Sequence, residues 1–92
     1  MDAGRLVGWN LRRLRVEREM TMETLAGEAD VEASYIAKIE RAVANPTVAA
    51  LAKLAKALRI TIPDLFRPFP PGSKAPRPLK SGPRPRQVRT KR

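Results

Sequence analysis

The chain of 92 residues contains no cysteine and no histidine. Without them, disulfide bonds, thiol nucleophiles and imidazole acid–base catalysis are excluded, and zinc loses its preferred ligands. No apolar run approaches the roughly 18 residues that a membrane-spanning helix needs. The N-terminal residues lead into a charged segment, so we expect no signal peptide. These absences predict a bacterial cytoplasmic protein without a metal or another cofactor.

Catalytic groups are lacking as well. The sequence offers no residue set that joins a nucleophile to a base, and its acidic residues occur singly on the surfaces of predicted helices. We therefore expect a protein that is not an enzyme. Its length suits one small domain.

Positive charge is abundant, and it is unevenly placed. Of the 19 lysines and arginines, nine lie in residues 67–92, where there is no acid. Residues 1–66 hold the other 10 cations and all 9 acids, so their net charge is +1 out of a total of +10. A basic segment of this kind indicates a polyanionic partner, most often nucleic acid. The alternative is a solubilising extension without a function of its own.

The same segment is rich in proline. Seven of the nine prolines lie from Pro68 onward, and only Phe69, Leu79 and Val88 could add to a core there. Such a composition does not offset the entropy cost of ordering the chain. We predict a folded domain over residues 1–67 and an extended, disordered, basic proline-rich tail over residues 68–92 that contacts DNA phosphates without reading sequence.

Helical periodicity dominates the rest of the sequence, and no strand pattern occurs in it. Apolar residues recur at spacings of three and four over about 4–19, 22–29, 32–42, 47–58 and 62–67, which predicts five helices. Thr21 is a good N-cap for the second helix, and Thr61 with Asp64 predicts a capping box at the start of the fifth helix, where Pro63 also lies.

The segment Thr21–Arg41 organises the domain, and it reads as two short helices joined by a tight turn. Leu25 and Ala29 give the first helix an apolar face, and Ile36 and Ile39 do so for the second. The outer face of the second helix begins with small residues and ends with cations. Such a face suits an element laid along a duplex groove.

Three motifs in this region carry a family resemblance. They are L-R-R-L-R at residues 11–15, T-L-A at 24–26, and S-Y-I-A-K-I-E-R followed by N-P-T between 34 and 47. In this order and spacing, the sequence over about residues 6–66 resembles the helix-turn-helix of the Xre and lambda-repressor family. The resemblance implies an all-α, compact five-helix domain that binds operator DNA, usually as a dimer.

The resemblance also implies roles for individual residues. The recognition helix, at about residues 32–42, would enter the major groove, and its base-facing residues would be Glu32, Ala33, Ser34, Ala37 and Lys38. The residues expected to contact phosphates are Thr21, Tyr35, Arg41 and Asn45.

A structural ion pair follows from the same resemblance. The family pairs an arginine of its first helix with a glutamate late in the recognition helix, and the matching residues are Arg15 and Glu40. Four positions depart from the family pattern. Asp30 stands where the family usually has a glycine that often needs positive φ, a conformation that Asp tolerates better than most residues. Met22 cannot donate to a phosphate as the usual glutamine does, Glu32 replaces a serine or threonine cap, and Ala42 replaces a glycine.

Two apolar surfaces are predicted. The fifth helix holds more apolar residues than a small core requires, so we place a homodimer interface at Ile60, Ile62, Leu65 and Phe66. Leu6, Trp9 and Val16 share the outer side of the first helix, and this patch could seat the tail, seat a second protein, or be incidental.

The expected function is a sequence-specific transcriptional regulator, most simply a repressor. It would bind a palindromic operator in double-stranded DNA as a homodimer on the bacterial nucleoid, with no small-molecule effector evident. Three alternatives stay open: an antitoxin, a restriction–modification controller of the same fold, and an adaptor that binds protein through the Trp9 patch or RNA through the tail.

Overall fold

The computed structural model describes residues 2–69, and this part of the chain contains α-helices, one short 3₁₀ helix and no strand. The helices are α1 (Ala3–Glu17), α2 (Met22–Ala29), α3 (Ala33–Glu40), α4 (Val48–Leu58) and the 3₁₀ helix (Ile62–Phe66). The all-α prediction is confirmed, and the fifth predicted helix is of the 3₁₀ type. We predict a disordered tail, and its residues from 70 onward lie outside the part of the chain that the structure describes.

Side-chain caps fix where most of these helices begin. The Asp2 carboxylate and the hydroxyls of Thr21 and Thr47 each accept a hydrogen bond from a backbone N–H in the first turn of the helix that follows. Each cap satisfies a donor that a helix start otherwise leaves free. Glu32, which precedes α3, makes no such bond.

All four α-helices are followed by a left-handed residue that is not glycine. Glu19, Asp30, Ala42 and Arg59 have φ between 54° and 61°. For Asp30 the family resemblance implies this conformation, and the φ of 59° confirms it. A left-handed residue turns the chain sharply at a helix end, but outside glycine it costs roughly 1–2 kcal/mol. Packing of the core therefore stabilises these turns, although residues other than glycine disfavour the left-handed conformation.

A single core joins the five elements. Among its members are six side chains with no exposed surface, namely Leu11, Leu25, Ile36, Leu54, Leu58 and Leu65. Helix α1 packs against α3 and the 3₁₀ helix, while α2 packs against α3 and α4. This arrangement buries one face of α3 and leaves its opposite face outward.

Helices α1 and α3 touch through their backbones at Gly8. A Cβ atom on this residue would lie 2.5 Å from the carbonyl oxygen of Ile39 and 2.9 Å from that of Glu40. Only glycine therefore permits this helix crossing. A glycine inside a helix normally weakens the helix, and here the close approach explains its presence.

Asn10 ties α1 to the end of the 3₁₀ helix. Its side chain is 1% exposed, and its Nδ2 amide lies 3.0 Å from the carbonyl oxygen of Leu65 and 2.8 Å from that of Arg67. The amide also reaches the Leu6 carbonyl within α1. Carbonyls at a helix end lack partners within the helix, and Asn10 supplies donors to them.

The chain then returns over α1. The ring of Phe69 stacks on that of Trp9, with centroids 4.1 Å apart and an interplanar angle of 20°. The Arg13 guanidinium lies 5.8 Å from the centroid of the Trp9 ring. Phe69 falls two residues beyond the predicted domain boundary, so the start of the predicted tail covers part of the predicted Trp9 patch.

The 3₁₀ helix has the capping box that the sequence predicts. Thr61 and Asp64 exchange hydrogen bonds, and Pro63 lies near the start of the helix. The backbone N–H and hydroxyl of Thr61, together with Arg67, lower the pKa of Asp64 from 3.8 to about 2. Within the described residues, no helix has the length and apolar character needed to cross a membrane.

Candidate nucleic-acid interface

The turn between α2 and α3 sets the direction of α3. Asp30 adopts the left-handed conformation, and the N–H of Val31 donates to the carbonyl of Ala26 at 3.1 Å. Ile36 and Ile39, which are at most 1% exposed, hold the inner side of α3 in the core. A two-point apolar anchor on so short a helix fixes its rotation, so its outer face is defined as well.

That outer face carries three exposed polar side chains in one stripe. Ser34, Lys38 and Arg41 are exposed and follow each other at spacings of four and three residues. No ion pair among residues 2–69 involves Lys38 or Arg41. The stripe therefore offers one hydroxyl and two free cations on a rigid helix.

The remaining predicted base-facing residues lie beside this stripe. Ala37 is half-buried, and Ala33 is half-buried with its methyl group packed on the core. Glu32 is exposed at the start of α3, where its carboxylate makes no capping bond. The structure thus gathers all five predicted residues at one surface, although Ala33 is partly withdrawn from it.

The four predicted phosphate-contacting residues have different environments. Arg41 and Asn45 are exposed, one directly after α3 and the other in the loop that follows. The Thr21 hydroxyl already accepts from the backbone N–H of Thr24, and it lies 2.9 Å from the Thr24 hydroxyl. Tyr35 is half-buried and packs on the core.

The structure joins Arg15 and Glu40 across α1 and α3. Arg15 donates from Nε to Glu40 Oε2 at 2.7 Å and from Nη2 to Oε1 at 3.0 Å, and both side chains are 4% exposed. Its Nη1 donates to the Met20 carbonyl at 2.9 Å. Bidentate geometry with a third hydrogen bond satisfies both charges inside the core. The pair holds the end of α3 against α1.

The predicted dimer interface is wrong in one residue. Leu65 has no exposed surface and belongs to the core of its own chain, so it is not available to a second chain. A 3₁₀ turn this short gives no clear periodicity from which to separate its inner from its outer side. Ile60 and Ile62 are half-buried and Phe66 is 37% exposed.

A cleft between α1 and the end of α3 was not foreseen from the sequence. Its volume is about 160 Å³, and its lining consists of Arg5, Gly8, Trp9, Arg12, Glu40, Arg41 and Ala42. Arg5 and Arg12 are seven residues apart and so lie on one face of α1, with Gly8 between them. That spacing is the signal in the sequence that could have indicated their joint position.

Comparisons with known proteins agree with this geometry. A family model described as helix-turn-helix matches residues 11–65. The uncharacterized HTH-type transcriptional regulator y4dJ of Sinorhizobium fredii is 38% identical over 68 residues, which cover 74% of this chain and 88% of y4dJ. The control protein C.BamHI of Bacillus amyloliquefaciens is 36% identical over 62 residues, which cover 66% of this chain and 76% of that protein.

A solved structure shows the same fold. The restriction-modification controller protein C.AhdI from Aeromonas hydrophila matches with a TM-score of 0.67 and 35% identity, over 68% of this chain and 96% of that one. The matched residues include α2, the turn, α3 and the helices that support them. The chain belongs to the helix-turn-helix family of the Xre and lambda-repressor type.

Proposed function

We propose that this chain is a transcriptional regulator that binds operator DNA through α3. The observation that carries the proposal is the exposed stripe of Ser34, Lys38 and Arg41 on a helix whose other face is locked in the core. A helix needs such a rigid, outward polar face to place side chains against base edges. The proposed role is binding, without a reaction, and it would place the chain on the bacterial nucleoid.

Base recognition would rest on a few side chains. The Lys38 ammonium can donate to guanine O6 and N7, and the Ala37 methyl can pack on a thymine methyl. Ser34 donates or accepts, so it discriminates less between bases. Glu32 can accept from cytosine N4. We propose Arg41 and Asn45 as the principal phosphate contacts of this region, with smaller contributions from Thr21 and Tyr35.

The experiment that tests this function needs no knowledge of the operator. Purified full chain would select fragments from genomic DNA, and the affinity for a selected fragment would be compared with that for random duplex at fixed salt. We expect the selected fragment to bind at least about 10³-fold more tightly. Equal affinity for both would contradict a regulator that reads sequence.

A second chain would double this site. We propose a homodimer on a palindromic operator, with half-sites about one helical turn apart, acting as a repressor by occupying the operator. Ile60, Ile62 and Phe66 form the proposed interface, since Phe66 is an exposed large apolar side chain beside two half-buried isoleucines.

Phe66→Asp tests the interface. We expect it to give monomers and to weaken operator binding, whereas the control Val48→Asp, at a valine that is 74% exposed, should leave the assembly unchanged. Sedimentation would measure both. A wild-type monomer at tens of micromolar would count against the dimer, since roughly that concentration already corresponds to weak association.

The basic tail is proposed to bind DNA phosphates without reading sequence. Residues 70–92 hold eight cations and no acid. Truncation after Phe69 keeps the Trp9 stack, and it should reduce the slope of log K against log salt by about 0.9 for each phosphate that the tail neutralises. The preference for operator over random duplex should persist. An unchanged slope would make the tail a spacer or a protein-docking segment.

A restriction–modification controller is the second candidate function. It is favoured by the similarity to the control protein C.BamHI and to the controller protein C.AhdI. In that case the selected fragments should lie upstream of restriction or modification genes. The adaptor alternative has less support, because Phe69 already covers part of the Trp9 surface on which it depends.

A further inference from the structure

Three arginines converge on the cleft between α1 and the end of α3. Arg5 and Arg12 come from α1, and Arg41 comes from the residue after α3. We call these three residues and the space between them the cationic cleft. Arg5 and Arg41 are exposed and Arg12 is half-buried, so these three residues line an opening that solvent reaches.

The charge of the cationic cleft is not neutralised within the described residues. None of the ion pairs or side-chain hydrogen bonds among residues 2–69 uses the guanidinium of Arg5, Arg12 or Arg41. Glu40 also lines the cleft, but both of its carboxylate oxygens accept from Arg15. Asp2 lies nearby, and its carboxylate accepts from the backbone N–H of Arg5. Three like charges held together without partners indicate a site for an anion.

The walls of the cleft are fixed in position. Gly8 brings the backbone of α1 against the carbonyls of Ile39 and Glu40, and the Arg15–Glu40 pair fixes the same crossing. Trp9 lines another part of the cleft and is stacked by Phe69. An anion would therefore meet guanidinium groups on an ordered frame, which lowers the entropy cost of binding.

We propose that the cationic cleft binds a phosphate of the DNA backbone beside the groove that α3 enters. This inference rests on the proposed function and extends its contact surface to α1. Arg41 belongs both to the exposed stripe of α3 and to the cleft, so the two surfaces are continuous. The guanidinium fork matches phosphate oxygens in two-point hydrogen bonding, which suits arginine to this role.

The test compares two double variants of the full chain that remove equal charge. The double substitution Arg5→Gln with Arg12→Gln removes both positive charges from the α1 side of the cleft. Lys53→Gln with Lys56→Gln is the control, since both lysines are exposed on α4, which packs against α2 and the 3₁₀ helix. Thermal unfolding would establish that both variants fold.

The first readout is the salt dependence of binding to a selected fragment and to random duplex. The cleft variant should have a slope of log K against log salt that is smaller by about 0.9, because it loses the one phosphate contact of the cleft. The reduction should be the same on both DNAs, because phosphates carry no sequence information. The control variant should keep the wild-type slope.

The second readout is the fluorescence of Trp9, the single tryptophan of the chain. Duplex DNA should shift its emission in the wild type and in the control variant but not in the cleft variant. Inorganic phosphate is titrated in parallel to separate a free anion from the DNA backbone. We expect no saturable change with inorganic phosphate at millimolar concentration.

The outcomes separate this inference from the function on which it rests. Sequence-selective binding by the wild type with equal slopes in both variants would overturn the cleft site and leave the regulator intact. A saturable response to inorganic phosphate, with an unchanged DNA slope, would also overturn it in favour of a free anion. Failure of the wild type to prefer any selected fragment would remove the proposed function, while the difference in slope between the two variants on random duplex would still decide the cleft site.

Discussion

The two ends of α3 differ in almost every physical respect. At its start, Glu32 makes no capping bond and the next two residues offer only a methyl group and a hydroxyl. At its end, Glu40 is pinned to Arg15 in the core, and Arg41 faces the cationic cleft. A buried ion pair therefore ties the charged end of the helix to α1, while the end expected to read bases has no side-chain cap.

This difference separates affinity from specificity. Phosphate contacts supply attraction to any duplex, while base contacts discriminate between sequences. Along α3, Lys38 is the only exposed cation placed before the helix end. A protein built in this way should bind duplex DNA through the end of α3 and α1, and draw its preference from few groups near the start.

Breaking the ion pair at the end of α3 should have the largest effect on stability. Glu40→Ala leaves the Arg15 guanidinium buried without its partner, and it should lower the free energy of unfolding by about 3–5 kcal/mol. Urea denaturation would measure the change.

Glu17→Ala is the matched control. Glu17 also pairs with an arginine, Arg13, at 3.0 Å, but its side chain is 54% exposed. An exposed pair of this kind contributes only about 0.2–1 kcal/mol. If the two variants unfold at similar urea concentrations, burial of the Arg15–Glu40 pair does not matter, and the end of α3 is not fixed by it.

Lys38→Ala should act on recognition and leave stability nearly unchanged. Without the lysine ammonium to bond guanine, the preference for the selected fragment should fall by about 1–3 kcal/mol, with little change on random duplex. Lys53→Ala removes the same charge from α4 and should leave the preference intact. A uniform weakening on both DNAs would assign Lys38 to a phosphate contact and leave α3 without a cationic side chain that reads bases.

Much of this architecture follows from sequence because it depends on neighbours along the chain. The helices and the capping box of Thr61 and Asp64 are local features, and each has its own residue signature, while the left-handed conformation of Asp30 follows from the family resemblance. The partnership of Arg15 with Glu40 follows from the family resemblance, since periodicity shows only that each residue faces inward. Nothing local in either helix identifies the other as its partner.

The features that escaped prediction depend on how separate elements meet. Gly8 is mid-helix and has no local explanation until the carbonyls of α3 lie against it. Two of the three carbonyls that Asn10 contacts belong to residues 65 and 67, far along the chain. Leu65 faces inward only because α1 and α4 close over the 3₁₀ helix. The cationic cleft is of the same kind, because two of its arginines come from α1 and the third follows α3.

Ala42→Gly should stabilise the turn that follows α3. Ala42 has a φ of 61°, and the N–H of Val43 reaches the Lys38 carbonyl at 2.9 Å, which closes the turn after α3. Glycine adopts this conformation without a Cβ clash, so we expect a gain of about 1 kcal/mol in the free energy of unfolding. The control Ala49→Gly, in an exposed position of α4, should lower the free energy of unfolding by about 0.5–1 kcal/mol. Destabilisation by both substitutions would mean that the turn is not left-handed in solution.

Glu32→Ser should have the smallest effect on stability and a clearer one on binding. A serine can cap α3 and gain about 0.5–2 kcal/mol, but it gives up a carboxylate worth about 0.3–1 kcal/mol beside the positive end of the helix dipole. The net change in the free energy of unfolding should therefore be a small gain. Loss of the carboxylate also removes repulsion from DNA phosphates, so affinity for random duplex should rise, most at low salt.

Glu32→Gln separates the two contributions, because it removes the charge without supplying the short hydroxyl cap. If serine and glutamine raise DNA affinity equally and only serine raises the free energy of unfolding, then the charge of Glu32 weakens DNA binding. The missing cap is then what lowers the stability of α3. If neither substitution changes affinity, Glu32 lies away from the DNA phosphates.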